Sequence, residues 1–458
     1  MKQIPGSTAP SGLQMLQWIV DPIGFMETSA QRYGDIFQTF VGASSQPLIY
    51  VSHPEALQQI LGNESKKFTL PEKYKGLLSP LVGSSSTFML YGEFHRRRRK
   101  LLMPPFHGEK LRSYAQLICD LTQQVMAQQP VDQVFVAREL MQEISLRVIL
   151  DVVFGLYTGE RSQKIAALIR SLLDFFKSPL NNGFLFLPWL QRDLGPLSPW
   201  GSFCRLQQQL DQLLYEEIEE RRQKDTSERT DILSLLLSVS DEQGATLTNT
   251  QLRDELLTLL FAGHETTATA MSWALYWLHY LPEVGTKLRQ ELASLGSNPE
   301  AMAIYRLPYL SALCNETLRI YPVTMMTFMR GVQTPVEVMG YQLTPKMNLM
   351  GCIYLTHHRE DLYPQPKQFK PERFLERQFS PYEFLPFGGG VRRCLGEALA
   401  KLEMRLVLAT IMSRYRLELA DAKPEFPQRR GITLAPARGV KMRVVERYQQ
   451  PFETNSQN

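Results

Sequence analysis

Ten residues late in the chain, Phe387-Gly-Gly-Gly-Val-Arg-Arg-Cys394-Leu-Gly396, combine types and spacings that few structural roles require. Five of them, Phe387, Gly390, Arg392, Cys394 and Gly396, fit the pattern Phe-x-x-Gly-x-Arg-x-Cys-x-Gly. Consecutive glycines carry no Cβ, so the backbone there is free to pass close to a large flat group. Beyond the cysteine, Leu395, Leu399, Leu402, Leu406 and Ala409 recur at three- and four-residue steps, the period of a helix. Cys394 is therefore expected at a helix N-terminus, where free N–H groups and the helix dipole lower a thiol's pKa. Arg392 adds positive charge two residues upstream. A thiolate delivered this way suits ligation of iron in a flat macrocycle. A lone cysteine behind a glycine turn is ordinarily structural, but five fixed positions argue against that here.

A second unusual stretch is Phe261-Ala-Gly-His-Glu-Thr-Thr-Ala-Thr269, inside a helical pattern running from Thr250 to Tyr280. Ala262-Gly263 removes side-chain bulk where something large could approach. Glu265, Thr266 and Thr267 place an acid and hydroxyls in an otherwise apolar span, and Thr266 can bond back to its own helix and loosen it. Two further groups are commonplace alone: Glu316-Thr-Leu-Arg319, an acid and base at i and i+3, and the basic run His95-Arg-Arg-Arg-Arg-Lys100. The basic run has no interleaved aromatics, and the net charge is only +4, so no nucleic-acid partner is expected.

Taken together these segments resemble the cytochrome P450 family of haem-thiolate monooxygenases, over most of residues 90 to 440. The cysteine loop matches that family's haem-binding loop, and Ala-Gly-x-Glu-Thr-Thr matches its oxygen-activation motif at every fixed position. The resemblance implies Cys394 as the iron ligand of haem b, with O2 as cosubstrate. It implies that Thr266 stabilises bound dioxygen, that Glu265 relays protons to it, and that Ala262 lies against the haem. Phe387, Gly390 and Gly396 shape the loop. Glu316, Arg319 and Arg373 (in Pro371-Glu-Arg-Phe374) form a structural network behind it. Propionate partners are implied at Arg99, Arg330 and Arg392. Relatives carry Trp-x-x-x-Arg where this chain has His95-x-x-x-Arg99; His95 still has a donor for a propionate. Arg96 to Arg98 and Lys100 are left to face an acidic electron donor.

Positions matching the family's substrate-contacting segments are apolar: Leu77, Leu78, Leu81, Leu259, Ala262, Val323, Met325, Met326, Ile432, Leu434 and Ala435. They imply a lipophilic substrate, with the methionines giving an adaptable wall. The chain is similar to soluble cyanobacterial members related to long-chain fatty-acid hydroxylases, so a long-chain fatty acid is favoured over a terpene, alkane or steroid. No flavin, nicotinamide or iron–sulfur fingerprint is present, so electrons are expected from a separate ferredoxin and ferredoxin reductase. A peroxide-driven enzyme and a haem-based sensor are the alternatives. Neither needs the Glu265–Thr266 pair.

The elements that must position these residues follow from composition and pattern. The 458 residues are 44% hydrophobic and 21% charged, an ordinary globular balance. No repeat or low-complexity linker divides them, so one unit is expected over 1–458. Helical patterns dominate from about 53 to 320 and from 394 to 415. Strand character is confined to about 35–52 and 330–356, and 449–458 read as a polar tail. The expected fold is mainly α with a smaller β portion, haem lying between the long helix and the cysteine loop. Five scattered cysteines fit a reducing compartment. With no apolar run of about 18 residues, a monomeric cytoplasmic protein without a transmembrane anchor is expected.

Overall fold

The computed structural model describes residues 3–41, 46–62, 67–71, 78–155, 159–175, 191–195, 198–224, 229–240 and 244–448. Leu77, most of the proline-rich stretch 178–200 and the 449–458 tail lie outside them.

The long central helix, Asn249–Tyr280, runs 32 residues. A capping box starts it: Gln251 N donates to Thr248 Oγ1 at 3.2 Å, and Thr248 N donates to Gln251 Oε1 at 3.0 Å. The helix packs against Ala137–Phe154 and against Glu397–Arg414, the cysteine helix. Ala137–Phe154 is buried on nearly every side, its polar Arg138, Ser145 and Asp151 included. Each Leu, Ile or Val buried in this stack contributes about 1.5–3 kcal/mol. Gly263 lies close against its neighbour: a Cβ there would stand 3.0 Å from Ile149 Cδ1. The small residue thus admits a neighbouring helix, whereas the sequence pattern pointed to a ligand.

A five-stranded sheet flanks the helices in the order Ile36–Thr39, Leu48–Val51, Asn348–Gly351, Arg330–Val332, Phe68–Thr69. Leu48–Val51 runs parallel to Asn348–Gly351, and the other pairings are antiparallel. The strand character expected to continue to about residue 356 stops at Gly351, and Ile353–His357 is helical. Two β elements near the C-terminus went unforeseen. Tyr415–Leu419 and Val134–Val136 pair on either side of Lys441–Arg447, and Pro427–Arg430 forms a hairpin with Thr433–Pro436. The alternating burial of Tyr-Arg-Leu-Glu-Leu is the period-2 signal that marks Tyr415–Leu419 as a strand.

Candidate active site

The cysteine loop is built on glycine for a packing reason. Gly390 has φ +64°, and a Cβ there would lie 2.0 Å from the Leu61 carbonyl oxygen, so no other residue fits. The loop closes when Cys394 N donates to Phe387 O at 2.9 Å. The cysteine helix begins only at Glu397, with Gly396 before it. Cys394 is an exposed residue whose thiol is nonetheless crowded by neighbouring protein atoms. Burial pushes that thiol up to about 11, against the lowering effects of the Gly396 N–H, Arg99 and Arg393. The helix-terminus effect expected from the sequence is thus outweighed, and a bound metal must displace the proton.

Arg99 interacts with this thiol, and with Arg330 and Arg392 it surrounds His95. His95 is buried on the basic helix, Gly92–Leu102. Burial, then Arg392, Arg99 and Arg330, hold its imidazole down at about 3, so it is neutral. The three charges named are all positive, and Arg99 also interacts with the Cys394 thiol. Such a cradle calls for an anion. Two of the arginines serve the backbone as well: Arg392 donates to Phe88 O (3.4 Å) and Leu90 O, and Arg330 to Phe328 O (3.0 Å). The Phe387 ring lies with Lys401 Nζ 5.3 Å from its centre.

On the long helix, Leu259, Ala262 and Thr266 fall on one face at i, i+3 and i+7, and all three are accessible in a largely buried helix. Thr266 Oγ1 donates to Ala262 O at 2.5 Å. Glu265 points elsewhere. Its carboxylate is paired with Arg138 and accepts from Gln142 Nε2 at 2.5 Å. His264 is buried beside them, its Nε2 3.0 Å from Gln142 O. Neither Arg138 nor Gln142 stands in a motif.

Glu316, Arg319 and Arg373 are brought together, all buried. Arg319 grips Glu316 with two bonds (2.6 and 2.8 Å), and Arg373 Nε reaches Glu316 Oε1 at 3.1 Å. The network continues through a residue the sequence did not single out. Arg319 donates to His357 O (2.9 Å), and His357 Nε2 accepts from Leu385 N (3.0 Å), just ahead of the cysteine loop. Burial, then Arg319, holds His357 well below the ordinary imidazole range, keeping that acceptor free of a proton.

The basic run divides. Arg96 and Arg97 are exposed beside Glu93. Arg98 turns inward to Glu255 at 2.9 Å and so leaves the exposed face. Of the apolar set, Val323, Met325, Leu434 and Ala435 are buried, and Leu78, Leu81 and Met326 are partly so. Ile432 is 63% exposed at the hairpin turn, away from its expected place in an apolar wall.

Residues 9–442 match the cytochrome P450 family. Cytochrome P450 135B1 of Mycobacterium tuberculosis is 34% identical over 447 residues, spanning 96% of this chain and 91% of the relative. Cytochrome P450 135A1 of the same species is 32% identical over 443 residues, spanning 96% and 95%. Among solved structures, a retinoic acid-bound cyanobacterial CYP120A1 superimposes with a TM-score of 0.83 at 24% identity, covering 97% of this chain and 99% of its own. The chain belongs to the cytochrome P450 family: a haem-dependent monooxygenase, mainly helical with small sheets. Among the described residues no helix is long and apolar enough to cross a membrane.

Proposed function

We propose that Cys394 ligates the iron of haem b and that the enzyme inserts one oxygen atom of O2 into a C–H bond of a long-chain fatty acid. One observation carries the cofactor assignment: an exposed Cys394 residue whose thiol interacts with Arg99, which with Arg330 and Arg392 surrounds a neutral His95. Haem brings an iron for the thiolate and two propionates for the cations, so the residues fit the group. When bound, it supplies the redox chemistry that activates oxygen.

The chain's own residues do the rest. His95, Arg99, Arg330 and Arg392 take the propionates, with His95 donating one N–H. Ala262 leaves room against the macrocycle, and Thr266 presents its hydroxyl on the accessible face of the long helix. Glu265 exchanges protons with that face when it leaves Arg138. Leu78, Leu81, Leu259, Val323, Met325, Met326 and Leu434 supply an apolar wall that selects a lipophilic chain. Electrons come from a ferredoxin and its reductase, drawn to Arg96, Arg97 and Lys100. A monomer in the cytoplasm suits that supply.

The experiment is a titration of fatty acids, alkanes, terpenes and steroids, following the Soret band. Turnover of the tightest binders with a surrogate ferredoxin system follows. Hydroxylated fatty acids are the expected products. Tight binding and turnover confined to another class would overturn the substrate assignment.

A further inference from the structure

Residues Gly83 to Leu90 hang as a strap between the long helix and the cysteine loop. At one end, Ser85 N donates to Asp254 Oδ2 (2.8 Å), and Ser86 Oγ meets Thr258 Oγ1 at 2.7 Å. Thr87 donates to Glu255 Oε1 from both its backbone N (2.9 Å) and its hydroxyl (2.8 Å). At the other end, Arg392 holds the carbonyls of Phe88 and Leu90. Gly83 starts the strap by necessity: its φ is +80°, and a Cβ would stand 2.1 Å from the Asp254 carboxylate. Phe88 sets its ring edge-on to Phe328 at 5.1 Å, next to Met326 and Arg330 in sequence. Just upstream, Leu78 and Leu81 belong to the proposed substrate wall, and Gln207 holds the Pro80 carbonyl at 2.7 Å.

Glu255 is the point where these ties converge. Besides Thr87 it accepts from Arg98 at 2.9 Å, and Arg98 also donates to Ser85 O at 3.2 Å. One buried carboxylate thus ties the strap, the long helix and the basic helix that carries His95 and Arg99. A buried charge bonded on several sides fixes geometry strongly and leaves large penalties when broken. We infer that Glu255 is a positioning residue that keeps the strap closed and so limits the access of bulky ligands to the haem face. This rests on the reading of Cys394 as the haem ligand.

The charges around Glu255 are Arg98 on the basic helix, Asp254 and Arg253 beside it on the long helix, and Asp211, paired with Arg253, on helix Pro199–Gln223. Burial raises Glu255 to about 7 despite the Thr87 and Arg98 bonds. Above that pH it is ionised and holds both partners. Below it the carboxyl gains a proton and loses its charge-assisted bonds, so the strap loosens.

The test uses the haem-loaded enzyme and two iron-binding probes, imidazole and 1-dodecylimidazole, followed by stopped-flow Soret shift. The quantity read is the ratio of their association rates, which cancels the shared protonation of the imidazole ring. Glu255→Gln is expected to raise the ratio for the long probe about tenfold at about pH 8, the scale of one hydrogen bond to a charged group. In the wild type the ratio should climb as pH falls from about 8 to about 6, and in Glu255→Gln it should stay flat. Thr87→Val removes only the hydroxyl tie and should raise the ratio by a smaller factor, so the inference stays testable should Glu255→Gln fold poorly. An unchanged ratio in the folded variants, or both probes accelerating equally, would overturn it. No Soret response to imidazole would remove the haem site itself, and the strap's role with it.

Discussion

Glu265 and Arg138 form an ion pair that ties the middle of the long helix to the first turn of helix Ala137–Phe154, one residue away from Thr266. One residue along a helix is about 100° of rotation, so the acid and the hydroxyl leave the helix on different sides. Gln142 adds a second hold on the same carboxylate. Under the proposed relay, proton delivery to the Thr266 side has two parts, release from Arg138 and transfer. Glu265→Gln is expected to lower turnover by about 10²-fold, the lower end for a general acid or base, with the substrate-induced Soret shift intact. Arg138→Gln should change the solvent isotope effect on turnover. Wild-type turnover in Glu265→Gln would remove the relay role.

Thr266→Ala should keep oxygen and NADPH consumption while product per NADPH falls several-fold. Among the described residues its hydroxyl bonds to the Ala262 carbonyl alone, so loss of fold should be slight. Product-to-NADPH stoichiometry is the measurement, and an unchanged ratio contradicts the assignment.

Glu316→Gln removes the charge gripped by Arg319 and Arg373 in a fully buried network. Breaking such a pair costs about 3–5 kcal/mol, so the variant should unfold at a clearly lower temperature and retain less haem. Arg319→Lys should not rescue it, since an ammonium cannot reproduce the two-bond grip. Thermal unfolding with haem absorbance reads both effects.

Glu403 is buried on the cysteine helix, and burial pushes its carboxyl up to about 8. A raised folded pKa means that stability is fully present below the unfolded value, near 4.5, and is lost as pH rises toward 8, levelling off above it. Glu403→Gln does not titrate. Its stability relative to wild type should therefore grow between about pH 5 and pH 8 by a few kcal/mol, and change little at higher pH. Denaturant unfolding across that range checks the sign, and a constant difference would contradict it.

The chemistry-bearing residues were legible because their types are rare at fixed spacing. Cys394, the Glu265–Thr266 stretch and Glu316–Arg319 each sit in a local pattern, and long apolar periodicity marked the helices around them. What escaped was set by packing across the chain. Arg138, Gln142, Glu255 and His357 meet their partners 28 to 168 residues away, so no local spacing announces them. Gly263 and Gly390 show the same limit: Ile149 and the Leu61 backbone press on them, and those neighbours are distant in sequence. The strand Tyr415–Leu419 shows the alternation, but at five residues it is too short to stand out beyond the helical pattern that ends near 415.

The thiol of Cys394 is the centre of the account. The direct measurement is the absorption spectrum of the reduced, CO-bound protein, wild type against Cys394→Ser. The wild type should show the red-shifted thiolate band, and Cys394→Ser should lose it. A serine variant that keeps the thiolate band would contradict the assignment of Cys394 as the ligand.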